Sequence, residues 1–112
     1  MFVAIASLPP SAKKTDQRQL AVGGTLGSRH VAARGDVYAC DPADTAHEIH
    51  AATGCRVDAR YIGNVYVSPP DPTADDITHP EHGNQGFPSG TICAVVFQRS
   101  LDQLLREQRV AD

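Results

Sequence analysis

Five histidines carry the sharpest chemical possibility in this chain, and four of them fall in two pairs. His47 and His50 are three residues apart, and His79 and His82 repeat that spacing. On a helix, three-residue spacing lets two imidazoles approach one ion, and a cysteine could complete a tetrahedral zinc site. The local sequences argue the other way. The segment HEIH lacks the four-residue spacing of the HExxH zinc hydrolases, and HPEH carries a proline that disfavours a regular helix. Solvated or hydrogen-bonded histidines are the leading reading. A zinc-binding module or metal-dependent enzyme built on His47, His50, His79 and His82 is the alternative.

Other reactive groups are less organised. Ser89 sits in FPSGT, which is not the G-x-S-x-G elbow of the α/β-hydrolases. Cys40, Cys55 and Cys93 are an odd number beside or within strand-like runs, which reads as buried free thiols in a reducing compartment. Gly23, Gly24, Gly27 and Ser28, next to Arg29, could form an anion-binding nest, but they match neither the P-loop nor G-x-G-x-x-G, and a glycine-rich hairpin accounts for them. Arg34-Gly35-Asp36 spells an adhesion tripeptide, which a tight turn explains. Asp71, Asp75 and Asp76 are too irregular for an EF-hand calcium loop. No catalytic constellation emerges, so the expectation is a non-enzymatic protein without a cofactor.

Composition narrows the class further. A chain of 112 residues, 41% hydrophobic and 21% charged, fits one globular domain spanning 1–112. With no Trp, its core must come from Val, Ile, Leu and Ala with a few Tyr and Phe. The net charge of −3 and the scattered basic residues leave no patch for a phosphate backbone, so direct nucleic-acid binding is not expected. The apolar start MFVAIASLPP lacks a basic flank and is too short to span a bilayer, so no membrane association is expected.

The elements follow from patterning. Phe2 to Leu8 reads as a buried strand stopped by Pro9 and Pro10, and Ser11 to Gln19 as an exposed polar stretch. Leu20 to Val22 and His30 to Ala33 are further strand candidates. After the turn at Arg34-Gly35-Asp36, Val37 to Cys40 forms a strand. Asp41 then suits an N-cap, Pro42 the first helical position, Asp44 the positive end of the dipole and Gly54 the left-handed stop. On that helix Ala43, Ala46, Ile49 and His50 share one side. Cys55, Val57 and Ala59 alternate with polar residues as a returning strand, continued by Tyr61 to Val67 with a hairpin turn or bulge at Gly63-Asn64. Thr91 to Phe97 is a buried strand. Ser100 with Gln103 resembles a capping box for a closing helix with Leu101, Leu104 and Leu105 on its apolar stripe. The predicted fold is α+β: a small, mainly antiparallel sheet or partly closed barrel with a short central helix and a C-terminal helix.

Residues 68–90 stand apart. Five prolines and three glycines with almost no aliphatic residues predict a long loop, and loops of that length in small domains are usually functional or disordered. Prolines restrict such an arm before it docks, which lowers its ordering cost. Pro69, Pro70, Asp71, Pro72, Asp75, Asp76, Pro80, Glu81, Phe87 and Pro88 are therefore the candidate partner-binding residues.

The stretch GDVYACDPADTAHEIHAATGCRVD, residues 35–58, resembles small tailed-phage virion proteins of the head-decoration or connector type. In those proteins a turn and strand lead to a helix that packs back on a small sheet. The resemblance covers about a fifth of the chain. It implies a structural protein of the virion, made in the host cytoplasm, whose partners are protein subunits of a larger assembly, including copies of itself. Outside a viral setting the chain is expected to be cytoplasmic. A small inhibitor of a host defence complex, binding through Asp75, Asp76 and Glu81, is a further alternative.

Overall fold

The computed structural model describes residues 1–20, 30–80 and 83–96. In chain order its elements are β1 (Phe2–Ala4), β2 (Lys13–Thr15), β3 (Val31–Ala32), β4 (Asp36–Ala39), α1 (Pro42–Thr53), a 3-10 turn (Ala59–Tyr61), β5 (Ile62–Val67), β6 (Ile77–Thr78) and β7 (Ile92–Val96). Five strands form a sheet in the order β1-β7-β5-β4-β2, every neighbouring pair antiparallel. A second, two-stranded ladder pairs β3 with β6. The expected α+β class with a mainly antiparallel sheet and a short central helix is what the chain adopts. The sheet is open, with β1 and β2 at its two edges. The expected closing helix around Leu101 lies outside the described residues, as do Val22 and the glycine turn at Gly23, Gly24 and Gly27.

Successive residues of a strand point to opposite faces, and here both faces are covered. Val65, Ala94 and Val96 meet Ile5, Ile49 and Ile62 on the side of α1. Their neighbours Val37, Tyr66 and Val95 point the other way, onto Leu20, Ala32 and Ile77. Double coverage explains why the two central strands, β5 and β7, are apolar nearly without interruption rather than alternating.

The helix starts and stops where its sequence says it should. The Asp41 carboxylate accepts the Ala43 amide at 3.0 Å, Pro42 opens the first turn, and Gly54 at φ 75° donates its N–H to the His50 carbonyl at 2.8 Å. Its buried face differs from the expected one. Thr45 and Ile49, four residues apart, are buried, whereas Ala43 and His50 are exposed. Threonine escaped an apolar count, yet its hydroxyl turns back to the Asp41 carbonyl at 3.4 Å, which lets the methyl face the core.

Other expectations shift by local hydrogen bonding. Cys55 to Asp58 form no strand, and Cys55 is exposed rather than buried. The Asp58 carboxylate accepts the Arg60 amide at 2.9 Å, caps a 3-10 turn and delays the returning strand to Ile62. Gly63 and Asn64 make a bulge and not a hairpin turn: Ile62 lies opposite Val96 and Val65 opposite Ala94. The displaced Asn64 is tied to the other layer, its amide to Leu20 at 3.0 Å and its side chain to Gln19 at 3.2 Å. The first strand ends at Ala4, although the Ile5 amide still reaches Ile92 at 2.9 Å. Within the polar stretch before Gln19 lies an edge strand, β2, whose Lys13 and Lys14 are exposed.

Candidate functional site

The 68–90 segment is not a free arm. It folds back over the sheet face opposite α1 and is held there at several points. Ile77 and Phe87 pack into that face's core, and β6 exchanges backbone hydrogen bonds with Gln85 at 2.8 and 2.9 Å. The Ser68 hydroxyl donates to the Phe87 carbonyl at 3.0 Å. Gly86 passes so close to Thr73 that a Cβ there would lie 1.9 Å from the Thr73 carbonyl oxygen.

A buried carboxylate ties these points together. Asp76 is 0% exposed. It accepts the Thr73 amide and hydroxyl, each at 2.8 Å, and the Arg34 guanidinium at 3.2 Å. Its backbone carbonyl takes the amides of Ala33 and Arg34 at 2.8 and 3.2 Å. The same guanidinium donates to the Asp71 carboxylate and, at 2.8 Å, to the Asp71 carbonyl. Burial pushes the Asp76 carboxyl up, but the two Thr73 hydrogen bonds and the Arg34 charge outweigh it and hold the group below the usual carboxylate range. Arg34 is in turn raised, first by its hydrogen bond to Asp71. The cation that Asp71 and Asp76 share is thus a side chain of the same molecule.

Because the folded Asp76 value is depressed, its contribution to stability is complete above the unfolded carboxyl pKa of about 3.9 and is lost as pH falls through the lower folded value. Thermal unfolding followed from pH 6 downward should therefore show a drop in Tm on the acid side that Asp76→Asn flattens. An unchanged acid limb in that variant would mean that the carboxylate is not what holds the segment.

The Arg34-Gly35-Asp36 tripeptide belongs to the same construction. Gly35, at φ 91°, lies against the Tyr66 side chain, and a Cβ there would come within 2.5 Å of its hydroxyl and 2.7 Å of two ring carbons. The Tyr66 hydroxyl donates to the Arg34 carbonyl at 3.0 Å, and Arg18 donates to the carbonyls of Ala32 and Gly35 at 2.8 and 2.9 Å. Asp36 faces Lys14 at 3.2 Å. Both charged ends of the tripeptide are engaged within the fold.

What the segment offers outward is its crest. Pro70, Asp71, Pro72, Thr73, Ala74 and Asp75 are exposed in succession, and Pro80 and Pro88 are exposed farther along. Asp75 accepts Asn84 at 3.0 Å, which braces the crest against the returning chain. Among the candidate partner-binding residues, Pro69 and Asp76 are enclosed by the chain itself, and Phe87 is half-buried against the core. Glu81 lies outside the described residues. Thr73 and Tyr66, which help to hold the crest, were not singled out by sequence, and Arg34 was read only as part of a tight turn. The three-residue step from Thr73 to Asp76 was a readable local signal, whereas the pairing of Asp76 with Arg34 spans 42 positions.

The histidines divide between the two faces. His47 and His50 are exposed on α1, where they line a shallow depression of about 370 Å³ with Ala43, Ala46, Arg56 and Val57. His79 is buried beyond β6 on the opposite face and lies against His30 with the rings tilted by 52° and centroids 4.5 Å apart, beside an edge-on Phe2–His30 contact. The sheet separates His79 from the helical pair, and His82 lies outside the described residues. Among the described residues no three His, Cys, Asp or Glu side chains gather as a ligand set for a metal ion. Cys93 is buried in β7, and burial pushes its thiol up to about 11, so it stays protonated. Cys40 is raised by the same cause.

Among the described residues no helix is long and apolar enough to cross a membrane. Comparison with known protein families, characterised proteins and solved structures found no match.

Proposed function

We propose that this chain is a non-enzymatic interaction protein that contacts other protein subunits through the Pro70–Asp75 crest. The observation that carries this reading is the contrast between anchoring and exposure. Arg34 and buried Asp76 hold the segment from beneath, Asp76 through Thr73, while the six consecutive residues 70–75 remain open to solvent. A binding loop that is already ordered loses little conformational entropy on docking, and loops on a rigid scaffold are where recognition residues concentrate. The resemblance of residues 35–58 to phage head-decoration and connector chains supplies the setting: a virion component that decorates or joins larger subunits.

The test separates crest from anchors. Removing the whole segment would strip Ile77 and Phe87 from the core, so point changes on the crest are the cleaner probe. Ala74→Arg should leave thermal unfolding within about 0.5 kcal/mol of the parent, as exposed substitutions do, and Asp75→Arg, which also gives up the exposed Asn84 hydrogen bond, within about 1 kcal/mol. They should weaken incorporation into the native assembly by about tenfold or more, measured by sedimentation of the chain from its source. Variants that assemble as the parent does would refute the reading.

A further inference from the structure

We propose that the depression beside α1 is a binding site for a small phosphate monoester. Ala43, Ala46, His47 and His50 follow the spacing of one helical stripe, and Arg56 and Val57 line the same depression from the chain that returns past the helix. That return is fixed locally. Gly54, at φ 75°, turns the chain, and the Cys55 amide donates to the Thr53 hydroxyl at 3.1 Å.

Arg56 sets this depression apart. Arg18 donates to the carbonyls of Ala32 and Gly35, Arg34 pairs with Asp71 and Asp76, and Arg60 pairs with Asp58. Among the described residues Arg56 has no such partner, and neither does the side chain of His47 or His50. Three side chains that donate hydrogen bonds therefore open onto one depression without an acceptor from the described chain. No described carboxylate lines it. Asp44 and Glu48 lie one residue on from Ala43 and His47, about 100° round the helix. The negative end of the helix dipole is partly answered too, because the Ile49 carbonyl accepts the Thr53 hydroxyl at 2.8 Å and the His50 carbonyl accepts the Gly54 amide at 2.8 Å.

The lining selects the chemistry of the ligand. A guanidinium fork pairs with two oxygens of a phosphate or a carboxylate. A carboxylate offers only those two, whereas a phosphate monoester has a third terminal oxygen, for which the imidazoles supply donors. The rest of the lining is methyl groups from Ala43, Ala46 and Val57. At about 370 Å³ the depression also falls within the range of small-molecule sites, about 300–1,000 Å³. The organic part of the ester thus has apolar surface to rest on, which a bare phosphate would leave uncovered. The site is independent of the crest, which lies on the other face of the sheet.

The experiment is a titration of the full chain with phenyl phosphate, inorganic phosphate and phenol, followed by proton–nitrogen correlation NMR. Phenyl phosphate should shift the amides of residues 46–50 and 54–57 to saturation. It should bind about tenfold more tightly than inorganic phosphate, because its ring covers the methyl groups. Phenol should leave the same amides unmoved. Arg56→Gln should weaken phenyl phosphate about tenfold, and His47→Gln and His50→Gln about threefold each. All three residues are exposed, so the melting midpoint should stay with the parent. Lys13→Gln removes an exposed cation on β2 and should bind as the parent does. Asp75→Arg should also bind as the parent does, so failure of the crest reading and failure of this one are told apart. Shifts that never saturate, equal affinity for inorganic phosphate, or a loss in Lys13→Gln as large as in Arg56→Gln would each overturn the proposal.

Discussion

A single methyl group at Gly86 is expected to prise the 68–90 segment off the sheet. The added Cβ would stand 1.9 Å from the Thr73 carbonyl oxygen, and backbone cannot swing aside as a flexible side chain can. Moving Thr73 also moves the amide and hydroxyl that Asp76 accepts, so the strain passes directly to the buried carboxylate and from there to Arg34. Overpacking of this kind costs about 3 kcal/mol, a large share of the stability of a small domain. Gly90→Ala is the control. Gly90 also has positive φ, 73°, but open space surrounds it, so only the backbone preference is lost, about 1 kcal/mol. Urea unfolding of the two variants should separate them by about 2 kcal/mol. Equal midpoints would show that the Gly86–Thr73 approach is not a constraint.

Ile77→Ala should destabilise the protein as strongly as Ile49→Ala, about 3 kcal/mol each. The two residues have opposite credentials in sequence. Ile49 sits on a well-capped helix, and Ile77 is a lone aliphatic in a proline-rich stretch. In the structure both are fully buried, one on each face of the sheet. If the loop were a passive covering, its isoleucine could be trimmed at little cost while the helical one could not. Matched losses in urea midpoints, with unchanged denaturant slopes, would establish two cores of equal weight. An Ile77→Ala loss below about 1 kcal/mol would reduce the segment to a surface strap.

These two residues also show where the sequence was legible. The start and stop of helix α1 could be read, because its caps are local: Asp41 to Ala43 and Gly54 to His50 are contacts within four positions. Its buried face could not, because Thr45 enters the core only by turning its hydroxyl back to Asp41. The antiparallel sheet could be read from apolar runs at Ile62 to Val67 and Ile92 to Val96. The return from the helix was misjudged because alternation at Cys55, Val57 and Ala59 mimics a strand, while Asp58 redirects the chain through its own side chain. The role of residues 68–90 was half legible. Their composition marked a special segment, but its partner Arg34 lies 42 positions before Asp76 in the chain, and no periodicity reports a contact across that distance. The candidate binding residues divided accordingly: Pro70, Asp71, Pro72, Asp75, Pro80 and Pro88 stayed outside, whereas Pro69 and Asp76 went in and Phe87 is half-buried.

Holding a crest from below has an evolutionary consequence. Among the described residues the bonds and contacts that secure the segment involve Ser68, Asp71, Thr73, Asp76, Ile77, Gln85 and Phe87, while Pro70, Pro72 and Ala74 carry none of that load. Substitutions at the latter positions can accumulate without passing through an unfolded intermediate. Lineages of this chain could therefore exchange one partner for another by drift on the crest alone, each keeping the same scaffold. Variation concentrated at Pro70, Pro72 and Ala74, with Arg34, Asp71, Thr73, Asp76 and Gly86 held constant, would be the footprint of that history.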